Sequence, residues 1–143
     1  MTTIAWKGRD LAADTMALSG ILRQYVPQKI CRLPDGSLIG HAGGTETALI
    51  VIQWFRDGER QEVKPKFEGD EWPRIILLRS DGSCWEYEKH LVPMRIYEQF
   101  WAIGSGRELA IGAMAQGASA RGAVEIAMRW DTGSGGEVEV LST

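Results

Sequence analysis

At 143 residues the chain is predicted to form one domain, long enough for a real hydrophobic core. A formal net charge of −3 gives no basis for a nucleic-acid or anionic-membrane partner. Cys31 and Cys84 lack metal-ligand spacing and are too few for a disulfide scaffold, which points to a reducing cytosol. No stretch approaches the roughly 20 apolar residues of a membrane-spanning helix, and acidic Asp10 and Asp14 interrupt the start of the chain where a signal peptide would need an apolar run.

In chain order, Met1-Thr2-Thr3-Ile4 comes first and already carries chemistry. If Met1 is removed, which the small Thr2 permits, the chain begins with a hydroxyl and a free α-amine on one residue. An α-amine has an ordinary pKa of about 7.7–8.0, so near pH 7 part of it is neutral and can act as a base. Threonine activated by its own amino terminus is an established nucleophile arrangement. Read alone, these residues fit better the start of an ordinary chain, since most chains that begin Met-Thr are not enzymes.

Thr2 to Lys7 predicts a short strand, closed by a turn at Gly8, and Asp10 to Leu18 returns antiparallel to it. Ser19-Gly20 breaks the pattern, and Pro27 limits helix in the segment that follows. Lys29 to Leu33 alternates in period two, Pro34-Asp35-Gly36 turns, and Ser37 to His41 completes a hairpin. Ala42-Gly43-Gly44 then opens a helix from about Thr45 to Arg56, with Ala48, Leu49, Ile52 and Phe55 at helical spacing. Residues 58–73 are polar, contain Pro65 and Pro73, and read as a loop or irregular arm.

Arg74 to Arg79 is a strongly apolar strand, and Asp81-Gly82 turns it into Cys84 to Glu88. The segment from His90 to Gln99 has no clear period, and Trp101 to Ile103 predicts a short strand leading to Gly104-Ser105-Gly106. Two Ala- and Gly-rich helices follow at about 106–116 and 119–130; Ser119 can cap the second, whose buried face holds Val124, Ala127 and Met128. Glu137 to Leu141 is the last strand. Helices grouped between antiparallel strands indicate α+β.

An N-terminal threonine needs a group that favours its reactive hydroxyl, groups that hold its amine, and an oxyanion donor. Lys29 can lower the hydroxyl pKa, and Asp14 can keep that lysine charged and oriented; a surface salt bridge accounts for the same two residues. Gly43, at a bend between a strand and a helix, suits an oxyanion N–H, or serves only as a helix-entry glycine. Neither Gly104-Ser105-Gly106 nor Asp131-Thr132-Gly133-Ser134-Gly135-Gly136 has the Lys and Ser/Thr ending of a nucleotide loop. Beside Thr2, however, Ser105, Asp131 and Ser134 can hydrogen-bond the amine and orient its lone pair.

These motifs, taken in order, resemble a β-type proteasome subunit, and more closely an HslV-type peptidase, both N-terminal-nucleophile hydrolases. The resemblance rests on MTTI, LAAD at 11–14, KICRL at 29–33, LIGHAGG at 38–44, WF at 54–55, the strand and turn at 75–82, AIGSG at 102–106 and DTGSGG at 131–136. It implies an Ntn-hydrolase domain over 1–143 with a four-layer αββα sandwich, two antiparallel sheets flanked by helices. It also implies Thr2 as nucleophile, Lys29 and Asp14 beside it, Ser105, Asp131 and Ser134 around its amine, and Gly43 as oxyanion donor. Ala17, Cys31 and His41 would line the pocket for the acyl-side residue; for His41 a half-exposed strand position is an equal reading.

The implied activity is threonine endopeptidase, with no metal or organic cofactor. The implied partners are peptides or unfolded proteins, further copies of the chain in a ring or stacked rings, and an unfoldase ATPase. The chain departs from the family between Phe55 and Arg74, where members usually carry a second long helix, and so reads as a small divergent member. Two other functions fit the same residues, a non-catalytic ring subunit of this fold and a small-molecule amidase of the superfamily.

Overall fold

The computed structural model describes residues 1–26 and 28–143; Pro27, expected to limit helix, lies outside the described residues. β1 (Thr3–Lys7) and β2 (Asp10–Asp14) form an antiparallel hairpin with Ile4 opposite Ala13 and Trp6 opposite Leu11. Gly8 turns between them at φ +61, where a residue without Cβ is unstrained.

The strand expected over Asp10–Leu18 divides at Thr15. Thr15 O accepts from Val26 N at 2.6 Å and Thr15 Oγ1 accepts from Glu137 N at 2.8 Å, bonds that draw the chain out of the first sheet. It continues as β3 (Met16–Ser19), paired with β4 (Leu22–Tyr25) in a separate two-stranded ribbon. The sequence gives no sign of β4, because all of its residues are exposed and no apolar alternation marks it.

β5 (Ile30–Arg32) and β6 (Leu38–Ala42) form the expected hairpin, and α1 spans Thr45–Arg56. Its buried face is Ala48, Val51, Ile52, Trp54 and Phe55, whereas Leu49 is 58% exposed, contrary to expectation. The run Leu49-Ile50-Val51-Ile52 is apolar all round and leaves the inward stripe undetermined; the aromatic pair Trp54 and Phe55 fixes it one residue over. Between α1 and β7 (Arg74–Leu78) the described secondary structure is one 3-10 turn, Gln61–Val63. β8 (Cys84–Tyr87), β9 (Met94–Ile96), β10 (Phe100–Gly104), α2 (Arg107–Ala115), α3 (Ala120–Trp130) and β11 (Val138–Ser142) complete the chain. Ser119 Oγ accepts from Gly122 N at 3.0 Å, capping α3 as expected.

The described residues form a mixed α/β structure with three α-helices and antiparallel sheets, ordered β10-β1-β2-β11 and β5-β6-β7-β8-β9 with the β3-β4 ribbon apart. Ile4, Leu11 and Ile103 from the first sheet pack with Ile30, Leu38, Ile76 and Leu78 from the second. Strand alternation turns Ala5, Ala12 and Ala102 the other way, onto Ala110, Met114, Ala123, Val124 and Ala127 of α2 and α3. Alanine on both surfaces lets these helices lie close to the sheet. Val51, Ile52 and Phe55 of α1 cover Ile39, Ile75 and Leu77. Each such aliphatic side chain contributes roughly 1.5–3 kcal/mol on burial. Among the described residues no helix is long and apolar enough to cross a membrane.

Candidate active site

Thr2 immediately precedes β1 and is 5% exposed. The loop after β10 passes it closely because its glycines allow it. Gly104 lies at φ +99, and a Cβ there would fall 2.0 Å from Thr2 O. A Cβ on Gly106 would fall 1.9 Å from Thr3 Oγ1. Ser105, between them, accepts from Thr2 N through its Oγ at 3.1 Å and donates to Asp131 Oδ2 at 2.6 Å. Ser134 Oγ donates to the same Oδ2 at 2.6 Å, and Gly133 N donates to Asp131 Oδ1 at 3.2 Å. Burial alone would raise the Asp131 pKa, but these donors and the nearby N-terminal ammonium outweigh it and hold the carboxyl below its ordinary range.

Lys29 and Asp14 form an ion pair, Nζ to Oδ1 2.9 Å, with side chains 4% and 0% exposed. The surface salt bridge is thereby excluded. Nζ also donates to Met16 O. Asp14 Oδ1 accepts in addition from Thr3 N at 3.0 Å, and Oδ2 from Gly135 N at 3.0 Å. The lysine thus sits one carboxylate oxygen away from the peptide that joins Thr2 to Thr3. Desolvation lowers the Lys29 pKa, opposed by the charge and hydrogen bond of Asp14 and by Glu139.

Thr2, Ala17, Lys29, His41 and Gly43 together line a cavity of about 220 Å³. Gly43 follows β6 and precedes the α1 N-cap Gly44; at φ +99 it holds a bend that an L side chain would strain. His41 N donates to Lys29 O at 3.0 Å, which brings the two residues side by side. The His41 ring is 6% exposed, so its half-exposed alternative does not hold. Burial, then the Lys29 charge, push its pKa down to about 4, and Nδ1 has no hydrogen-bond partner among the described residues.

Cys31 does not join this cavity; it packs against the cluster beneath α1. The expected alternation over Lys29–Leu33 would put Lys29 and Cys31 on one face, but the ladder begins at Ile30 and leaves Lys29 on a bend free to turn toward Asp14. Ser105 bonds Thr2, Asp14 and Ser134 bond Thr3, and Asp131 reaches them only through Ser105 and Ser134. Three contributors are new relative to the sequence reading. Thr3 meets Ser134 Oγ through its own hydroxyl at 2.7 Å, Met16 supplies a carbonyl to Lys29, and Gly135 supplies an amide to Asp14. The doubled threonine and the extra glycine of the GSGG run are the signals that mark the first and last.

No protein-family model matches the chain, and no curated protein matches it by sequence. Solved structures do. Thiobacillus denitrificans BPH superposes with a TM-score of 0.74 at 20% identity, over 99% of this chain and 96% of that one. The same protein in complex with epoxomicin gives 0.73 at 20% identity, over 99% and 97%. Eukaryotic HslV from Trypanosoma brucei gives 0.75 at 22% identity, over 99% of each chain. At these identities the likeness concerns architecture, and on that ground the chain has the β-type proteasome/HslV-like peptidase fold.

Proposed function

We propose that the chain is a threonine endopeptidase with Thr2 as nucleophile after loss of Met1. The observation that carries this reading is the hydrogen bond from Thr2 N to Ser105 Oγ, backed by Asp131 and Ser134, beside a cavity that Thr2 shares with Lys29. Removal of Met1 would turn that backbone nitrogen into an α-amine already facing a hydrogen-bond partner. The amine, directly or through a water, takes the Thr2 Oγ1 proton as the oxygen attacks a peptide carbonyl. Lys29 favours the reactive hydroxyl by its charge. Gly43 N–H holds the oxyanion, the C–N bond breaks, and the amine returns the proton to the leaving nitrogen. Water then adds to the acyl ester, releases the acid and restores Thr2.

The packing of α1 on one sheet and of α2 and α3 on the other supports reading the fold as a four-layer αββα sandwich. The HslV-like neighbours support a ring of copies that confines the site; its substrates on this reading are peptides, or chains unfolded by a separate ATPase. Thr2→Ala tests the chemistry: peptide hydrolysis should disappear while the mass of the assembly in solution stays the same. Unchanged turnover would remove Thr2 from the mechanism.

A further inference from the structure

A second cavity, of about 240 Å³, shares Asp131, Ser134, Met16 and Gly135 with the candidate site and is also lined by residues that site does not use, among them Arg23, Arg129 and Trp130. Met16 and Ala17 are consecutive on β3, so strand alternation turns them to opposite faces. Met16 lines this cavity and Ala17 lines the one containing Thr2. The two cavities therefore lie on either side of the β3 backbone, connected through the hydrogen bonds from Thr2 N to Ser105 and from Ser105 to Asp131, 3.1 and 2.6 Å long.

The second cavity is lined by two arginines and one carboxylate, in a chain whose net charge is −3. Arg23 comes from β4 and Arg129 from the last turn of α3, and neither forms an ion pair among the described residues. Arg129 lies over the Trp130 ring, 5.3 Å from its centroid, a contact that limits where the guanidinium can go. The cavity's own carboxylate, Asp131, is occupied by donors from Ser105, Ser134 and Gly133. Two arginines without a carboxylate partner among the described residues thus line the cavity next to the candidate site.

We infer that this cavity receives the leaving-group side of the substrate and selects an acidic side chain two residues beyond the scissile bond. The inference rests on the peptidase reading above. With the acyl-side residue in the Ala17 and His41 cavity, an extended peptide continues away from Thr2 toward Asp131. Two residues of extended chain span about 7 Å, a reach comparable to the Thr2–Ser105–Asp131 link, and Asp131 lines the same cavity as the arginines. A carboxylate is the side-chain chemistry that two guanidiniums recognise.

The test uses the assembled protein and internally quenched peptides that differ only at that position, bearing Glu, Gln or Lys. A peptidyl coumarylamide with the same acyl side and nothing beyond the scissile bond is measured in parallel. The expected kcat/KM falls in the order Glu, Gln, Lys, with about a fivefold span for two partly exposed pairs, and narrows as salt is raised. In Arg23→Gln/Arg129→Gln the span should close, with coumarylamide turnover unchanged. Equal rates for Glu and Lys, or a preference that survives the double substitution, would overturn the subsite while leaving the peptidase intact. Absence of coumarylamide turnover in the unmodified protein would overturn the peptidase reading and the subsite with it.

Discussion

Lys29 and Asp14 meet at 2.9 Å in the interior, and the oxygen that accepts from Lys29 Nζ also accepts from Thr3 N. A buried ion pair is a weak contributor to stability, since desolvation of both charges offsets their attraction. What this pair does achieve is to fix an ammonium beside the first residues of the chain. Asp14 is held in turn by Gly135 N, so β2, the segment before β5 and the loop before β11 converge on one carboxylate.

Lys29→Met should separate structure from chemistry when combined with a second change. Alone it leaves the Asp14 carboxylate buried without its ammonium, at a cost of about 3–5 kcal/mol. The double variant Asp14→Asn/Lys29→Met should recover much of that in urea unfolding. Hydrolysis should stay about a hundredfold down in both, as for loss of a preorganised charge. Recovery of activity along with stability would assign the pair a purely structural role.

Ser105→Ala removes the acceptor of Thr2 N and one donor to Asp131. The stability loss should be small, about 1 kcal/mol, because the residue lies on a solvent-facing loop. The fall in kcat should be larger, at least about tenfold, with KM little changed, because the Thr2 amine loses its orientation. A parallel fall in stability and rate would argue against a positioning role.

His41 makes stability depend on pH in a defined window. Its folded pKa of about 4 lies below the ordinary 6.5. Between these values the unfolded chain binds more protons than the folded one, so stability rises with pH across the window and is lost as pH falls through it. The span is worth up to about 3 kcal/mol. Urea unfolding at pH 4.5 and 7.5 should show this difference in the unmodified protein and a smaller one in His41→Asn.

Gly106→Ala tests the closeness of the Ser105 loop to the chain start. The residue has φ −90, so alanine meets no backbone strain there. Its Cβ would nonetheless fall 1.9 Å from Thr3 Oγ1 and 3.0 Å from Ala127 Cβ. Overpacking of this kind costs about 1–3 kcal/mol, and β1 should shift away from the loop. Thermal unfolding should fall by several degrees and hydrolysis should fall further than stability explains.

β1 and β6, buried on both faces, were readable as short apolar runs bounded by turns at Gly8 and at Pro34-Asp35-Gly36. β4 was not, since it is exposed throughout, and β9 was not, since its three residues are too short to show a period. Leu49 was misassigned because an apolar run does not name its inward stripe. The consequence is measurable: Ile52→Ala should cost about 2–5 kcal/mol, and Leu49→Ala within about 0.5. Most of the site was legible because its chemistry sits in short motifs with glycines at close approaches. Cys31, assigned only by the resemblance, was not: in the ladder that begins at Ile30 it packs on the cluster beneath α1 and lies outside the cavity. The Met16 carbonyl was invisible in principle, since any residue supplies one.

The most direct measurement is intact-mass and peptide mapping of the protein after reaction with a threonine-directed epoxyketone. The mapped N-terminal fragment should begin at residue 2 and carry the whole adduct, in parallel with loss of peptide hydrolysis. An adduct on another residue, or full turnover by a chain that keeps its initiator methionine, would contradict Thr2 as the nucleophile.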